Sequence, residues 1–215
     1  MDWLAWHQEY AEPNSALSRR RRVVQRYLAA TLAERAAVPG GDPIRLLSMC
    51  AGDGGDVLEV LAETGGTPPV AALLVELDPE LAGLARTQAA RHGLSSVRVI
   101  TGDAGRTACY AELTPADIVL ACGVFGNIDQ ADVRRTVGAL PALLCPGGRV
   151  IWTRGRGDGD ADASQPIRQL FAERGFTELD FTVPADAGFR VGLHRLDRPA
   201  AEPAELPEQL FRFLK

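Results

Sequence analysis

Apolar and polar positions in the middle of the chain fall into short blocks of alternating character. Ile44–Met49, Val70–Glu76, Val97–Thr101, Ile118–Ala121 and Arg149–Thr153 are brief runs rich in Val, Ile and Leu, bounded by Gly, Pro or Asp. Runs of this length between turn residues read as strands buried on both faces. Helical spacing fills the intervals, over about 56–63, 79–91, 129–144 and 165–174. Pro79 suits the first turn of its helix, and His92-Gly93 stops it. Upstream, Ser15 is placed to cap a helix to about residue 38, with Leu17, Val24, Leu28 and Leu32 on one apolar face. Pro39-Gly40-Gly41-Asp42-Pro43 ends it. Thr177–Val183 and Phe189–Leu196 alternate around Pro184-Ala185-Asp186-Ala187-Gly188 and predict an antiparallel pair.

Short apolar strands alternating with helices imply an α/β fold with a doubly wound, mostly parallel sheet of seven strands. A C-terminal antiparallel hairpin closes it and an N-terminal helical extension precedes it. The pattern divides into residues 1–40, a helical lid or extension; 41–197, the α/β domain; and 198–215, a tail. The tail begins rich in Pro, Ala and Glu, and its last apolar residues, Leu210, Phe211, Phe213 and Leu214, predict an end that docks back. Residues 2–12 hold Trp3, Trp6, His7 and Tyr10, a short aromatic helix.

The 215 residues suffice for one sizeable α/β domain. A net charge of -5 argues against a general attraction to nucleic acid or anionic lipid. The basic run Arg19-Arg20-Arg21-Arg22 reads first as a solvated helix face. The four cysteines, Cys50, Cys109, Cys122 and Cys145, form no C-x-x-C pair and lack a histidine cluster, so no metal site is expected. The start Met1-Asp2-Trp3 has neither a basic nor an apolar leader region, and a cytoplasmic setting is expected.

Candidate chemistry gathers at strand ends. Ala51-Gly52-Asp53-Gly54 follows the first strand, Glu76 ends the second, Gly102-Asp103-Ala104 follows the third and Cys122 the fourth. In parallel sheets such positions share one crevice where the strand order reverses. With Cys145-Pro146-Gly147-Gly148 before the fifth strand, the pattern over about residues 44–153 resembles the class I S-adenosylmethionine-dependent methyltransferases. The resemblance implies S-adenosyl-L-methionine as cofactor. Gly52 and Gly54 would let backbone pass its methionine part, with Ala51 and Asp53 in the same loop. Glu76 would hold the ribose hydroxyls and Leu77 would pack on one adenine face. Asp103 would accept from the adenine amino group, and the Ala104 amide would donate to a ring nitrogen. Cys122 lies beside the cofactor in this arrangement, and both it and Cys50 read as small apolar packing. Glu76 and Asp103 also have plainer readings, as a helix-start acid and a turn residue, although Asp78 is better placed to cap. A dinucleotide-binding oxidoreductase competes, but Val57 stands where its third small residue should fall.

The chain departs from the family at two positions. Ser48 stands where the first-loop acid falls and Cys50 where the first glycine falls. Another group must then hold the methionine end, or binding there is weaker; one of Arg19–Arg22 pairing with the cofactor carboxylate is an alternative to the solvated face. The expected acceptor is a small molecule, with an RNA or protein methyltransferase and a non-catalytic cofactor-binding subunit as alternatives. Trp3, Trp6 and Tyr10 are expected in the acceptor pocket, with His7 as the catalytic base. Packing of this helix on the sheet, or on a second copy in a homodimer, is the competing reading. Phe125 could stack on an aromatic acceptor, and Asn127 could orient a substrate or cap the next helix. Arg154 and Arg156 meet an acidic substrate or solvate a loop, and His194 reads as structural.

Overall fold

Each predicted strand forms, and most helix limits fall within two residues of the sequence pattern. The computed structural model describes residues 12–36, 42–157, 162–197 and 206–214. Helix α1 (Ala16–Ala36) begins where the Ser15 hydroxyl accepts from the Ser18 N–H at 3.0 Å. Then follow β1 (Ile44–Met49), α2 (Gly55–Glu63), β2 (Val70–Glu76), α3 (Pro79–Arg91) and β3 (Val97–Thr101). A single 3₁₀ turn (Thr107–Tyr110) leads to β4 (Ala116–Ala121). The rest is α4 (Gln130–Leu143), β5 (Leu144–Gly155), α5 (Gln165–Glu173), β6 (Phe176–Thr182) and β7 (Phe189–Leu196). Asp78 caps α3 by accepting from the Glu80 and Leu81 N–H groups at 2.8 and 3.1 Å, so Glu76 is not spent on that task.

The strands form one sheet in the order β3-β2-β1-β4-β5-β7-β6. β7 runs antiparallel to both β5 and β6; the other pairs are parallel. From β1 the chain winds to one edge through β2 and β3, and to the other through β4 and β5. The order therefore reverses between β1 and β4, the crevice position for a ligand. One difference from the sequence pattern lies in β5. The strand starts at Leu144, opposite Ala116, and its register shifts before Ile118 meets Arg149. Pro146-Gly147-Gly148 is thus an irregularity inside the strand, with Gly147 at φ +78°, not a turn ahead of it.

The two faces of the sheet carry separate apolar cores. On one, Val24, Leu28 and Leu32 of α1 and Val57 and Leu58 of α2 pack with Leu46, Leu74 and Leu120. On the other, Leu47, Met49, Val75 and Ala121 meet Val137 and Leu140 of α4. The connection from β3 to β4 supplies only the 3₁₀ turn to this second face. Leu210 and Phe211 of the tail, both fully buried, complete its cover.

An aromatic group fills the far part of this core. Trp152 stacks on Phe171 with centroids 5.7 Å apart, and Phe125 meets both edge-on. Trp152 Nε1 donates to His194 Nδ1 at 3.1 Å, and Gly192 lies so close to the indole that no side chain fits there. Burial pushes His194 down to about 4, so its ring is neutral and structural. Phe125 is corrected accordingly. It has no surface left for an acceptor, because its ring is fully buried against Trp152 and Phe171. No described helix is long and apolar enough to cross a membrane.

Candidate functional site

Four loops at the carboxyl ends of β1, β2, β3 and β4 converge on one cleft at the reversal point. Ala51, Gly52, Asp53, Glu76, Leu77, Asp103, Ala104 and Cys122 all line it. Gly54 does not. It sits at φ +80° before α2, and a methyl group there would lie 2.6 Å from Leu58 and 3.3 Å from Ala85. Its contribution is a tight turn backed by packing. Trp3, Trp6, His7 and Tyr10 lie outside the described residues.

Glu76 is the anchor of the cleft. Only 9% exposed, it accepts from the Gly52 N–H at 2.7 Å through Oε2 and from the Asp78 N–H at 2.9 Å through Oε1. A carboxylate can accept about four hydrogen bonds. These two therefore fix the group and leave acceptor capacity at the cleft. Gly52 takes φ +58°, a left-handed conformation that suits glycine and turns its N–H toward Glu76. Leu77 is 60% exposed at the cleft, an apolar side chain with no protein cover over most of its surface. Asp103 Oδ1 accepts from the Gly105 N–H at 2.8 Å, and its Oδ2 accepts from Gln209 Nε2 at 3.1 Å. The Tyr110 hydroxyl donates to the Ala104 carbonyl and pins the next residue of the loop.

The opposite end of the cleft is charged. Arg20 and Arg21 of α1 enter it beside Asp53 and Asp56. Arg21 Nη2 donates to Asp53 Oδ1 at 2.7 Å, and its Nε lies 3.8 Å from Asp56 Oδ1. Asp56 keeps 17% of its side-chain surface, and burial raises its carboxyl above the usual range against the pull of the two arginines. A side chain on Gly55 would strike the Arg21 guanidinium at 2.5 Å, so this glycine admits α1 to the cleft. The solvated-face reading of the basic run therefore fails for Arg21, whose side chain is 14% exposed. It holds better for Arg19, paired with the exposed Asp186. Ser48, by contrast, is buried in β1 between Leu74 and Leu120.

Both cysteines at the cleft are held in the thiol form. Burial raises the Cys50 thiol well above its ordinary range, and Glu76 and Asp103 raise it further. Burial, then Asp56, does the same to Cys122. Cys50 sits at φ +53°, the only described residue besides glycine with a positive φ, a conformation that favours glycine. For Asn127 the helix-cap reading is corrected. Its Nδ2 donates to the Gly123 carbonyl at 2.7 Å and ties down the loop after β4, while α4 is capped by Asp129. Asp56, Leu81 and Phe213 also line the cleft without having been singled out in the sequence. Phe213 had a signal, the apolar end of the tail; Asp56 had only its place in the first turn of a helix.

No protein-family model and no curated protein matches the chain. Solved structures do. Magnesium protoporphyrin IX methyltransferase from Synechocystis PCC 6803, with bound SAM, superposes with a TM-score of 0.60 at 16% identity, covering 82% of this chain and 79% of that one. The Burkholderia thailandensis 1,6-didemethyltoxoflavin-N1-methyltransferase, with bound S-adenosylhomocysteine, gives 0.57 at 23% identity, covering 81% and 79%. An rRNA methylase from Streptococcus thermophilus gives 0.57 at 12% identity, covering 79% and 94%. The chain thus has the Rossmann-like fold found in these S-adenosylmethionine-dependent methyltransferases.

Proposed function

We propose that this protein is an S-adenosylmethionine-dependent methyltransferase acting on a small-molecule acceptor. The observation that carries the proposal is Glu76, a buried carboxylate fixed by two backbone N–H groups, with acceptor capacity left at a cleft it shares with Asp103. That arrangement fits a ribose diol. Leu77 offers an apolar face for adenine, and Asp103 with the Ala104 amide offers the polar edge. Arg20 and Arg21 with Asp53 and Asp56 bring both signs of charge to the other end, matching the carboxylate and ammonium of a methionine moiety. They stand in for the acid that Ser48 lacks.

Bound S-adenosylmethionine supplies a methyl group already activated on a sulfonium, open to in-line attack by an acceptor lone pair. The protein's task is then alignment and exclusion of water, and positioning of this kind can contribute about 7–11 kcal/mol. Gly52 and Glu76 hold each other directly, so the loop that meets the cofactor is rigid before binding. Trp3, Trp6 and Tyr10 are proposed to cover the acceptor, with His7 as the base where the acceptor carries a proton.

A net charge of -5 favours a small acceptor over RNA. The test is incubation with methyl-labelled S-adenosylmethionine and a panel of phenols, amines and carboxylates, with RNA and protein in parallel. Label in a small molecule is expected. Label in RNA or protein alone would overturn the acceptor class.

A further inference from the structure

The C-terminal strap, residues 206–214, makes contacts beyond the cover it gives the second face of the sheet. Its backbone is tied along its whole length. The Thr107 N–H donates to the Glu208 carbonyl at 3.2 Å, and the Leu210 N–H to the Gly105 carbonyl at 2.7 Å. Leu210 O accepts from Arg135 Nε at 3.0 Å and from the Thr136 hydroxyl at 3.2 Å. The Arg212 N–H donates to Asp132 Oδ2 at 2.6 Å, and the Leu214 N–H to the Asn127 carbonyl at 2.8 Å. The strap therefore runs from the loop after β3 to the loop after β4, across the mouth of the sheet's carboxyl end.

Two of its side chains reach the cleft machinery. Gln209 Nε2 uses one hydrogen for Asp103 Oδ2 at 3.1 Å and the other for the Phe211 carbonyl at 2.7 Å. Both amide hydrogens are thus committed, and the Asp103 carboxylate is held from both sides, by Gln209 and by the Gly105 N–H at 2.8 Å. Phe213 lines the same cleft as Leu77 and Asp103, with its ring 5.6 Å from the buried Phe211. The approach depends on Gly105, where a methyl group would collide with the Phe211 carbonyl and the Gln209 amide.

We infer that the strap is a working part of the adenine subsite: Gln209 is a positioning residue that aims Asp103 at the exocyclic amine, and Phe213 supplies an aromatic wall for the ring. This rests on the assignment of the cleft to S-adenosylmethionine. The base preference of the site is accordingly set by residues more than a hundred positions from the loop they act on. Phe213 adds contact area that any purine would use. Gln209 adds orientation that matters only to a base with an amino group to donate.

The two roles separate in one binding experiment with the full chain. S-adenosylhomocysteine and S-inosylhomocysteine, which carries a carbonyl in place of the amine, are titrated into wild type, Phe213→Ala, Gln209→Ala and Gly105→Ala. Thermal melting confirms that each variant is folded. Phe213→Ala should weaken both ligands by about tenfold, as loss of one stacked aromatic does. Gln209→Ala should erode the preference for S-adenosylhomocysteine over S-inosylhomocysteine, with little effect on the latter. Gly105→Ala removes no cleft side chain but displaces the strap, and should reproduce both effects. Wild-type affinity carried unchanged by folded Phe213→Ala and Gln209→Ala would overturn the inference while leaving the cofactor assignment intact. Failure of wild type to bind S-adenosylhomocysteine would overturn the assignment itself.

Discussion

The two ends of the cleft are built differently. At the Glu76 end, Gly52, Glu76, Leu77, Asp103 and Ala104 each lie within a few residues of a strand terminus, so the sheet places them. At the charged end, α1 must cross the face of the sheet and dock on Gly55 before Arg20 and Arg21 arrive. The strap adds a second such remote contribution through Gln209 and Phe213. Parts delivered by a parallel sheet inherit its rigidity and its regular sequence spacing. Parts delivered by distant segments depend on tertiary docking, and they are where this chain can differ from others of the same fold.

Variants can break this comparison at graded cost. Deleting residues 1–12 should abolish turnover while sparing S-adenosylhomocysteine binding; unchanged turnover would exclude Trp3, Trp6, His7 and Tyr10 from the reaction. Glu76→Ala should weaken S-adenosylhomocysteine by at least about a hundredfold, since hydrogen bonds to a charged group contribute about 1.5–3 kcal/mol each and two are lost.

His194 offers a control away from the cleft. The unfolded chain protonates this histidine below its ordinary 6.5, whereas the folded chain resists until about 4. Between those values the unfolded state binds more protons, so stability falls as pH falls. At about 1.4 kcal/mol per pH unit, the loss attributable to His194 is roughly 3 kcal/mol. Denaturant titrations at several pH values should show this slope in wild type and its removal in His194→Gln, with cofactor affinity at neutral pH unchanged. An equal slope in the variant would place the acid sensitivity elsewhere.

Gly55→Ala should act on the charged end alone. Its new methyl displaces the Arg21 guanidinium from Asp53 and should cost about 1.5–3 kcal/mol of stability, in keeping with a partly buried charged hydrogen bond. S-adenosylhomocysteine should then bind severalfold more weakly while adenosine binds as before. Equal weakening of both ligands would mean that the two ends are not separable. The smallest effect is expected at Cys50. Cys50→Gly removes the strain of φ +53° but gains flexibility in the unfolded chain, and these roughly offset. Chemical denaturation should show a change within about 1 kcal/mol.

The same division decides what was legible in the sequence. The limits of β1, β2, β3 and β7 match the apolar runs because Gly, Pro and Asp punctuate them. Eight expected cofactor-contacting residues reach the cleft because strand ends converge in any doubly wound sheet. Where no such geometry constrains a side chain, the sequence was silent. Phe125 occupies an irregular loop, where periodicity cannot say which way a ring points, and it turned into the core beside Trp152 and Phe171. Asn127 bonds the Gly123 carbonyl of its own loop and leaves the cap of α4 to Asp129, a choice that residue type alone does not decide. A run of four arginines looks like a solvated face until Gly55 lets the helix close on Asp53. The strap's apolar residues did predict docking, but not that the docked segment would hold Asp103.

The central claim, a nucleoside cleft organised by Glu76 for S-adenosylmethionine and not for a dinucleotide, is tested most directly by calorimetric titration of the intact protein with S-adenosylhomocysteine and with NAD. The account predicts micromolar binding of S-adenosylhomocysteine and none of NAD. Tight binding of NAD, with S-adenosylhomocysteine unbound, would contradict it.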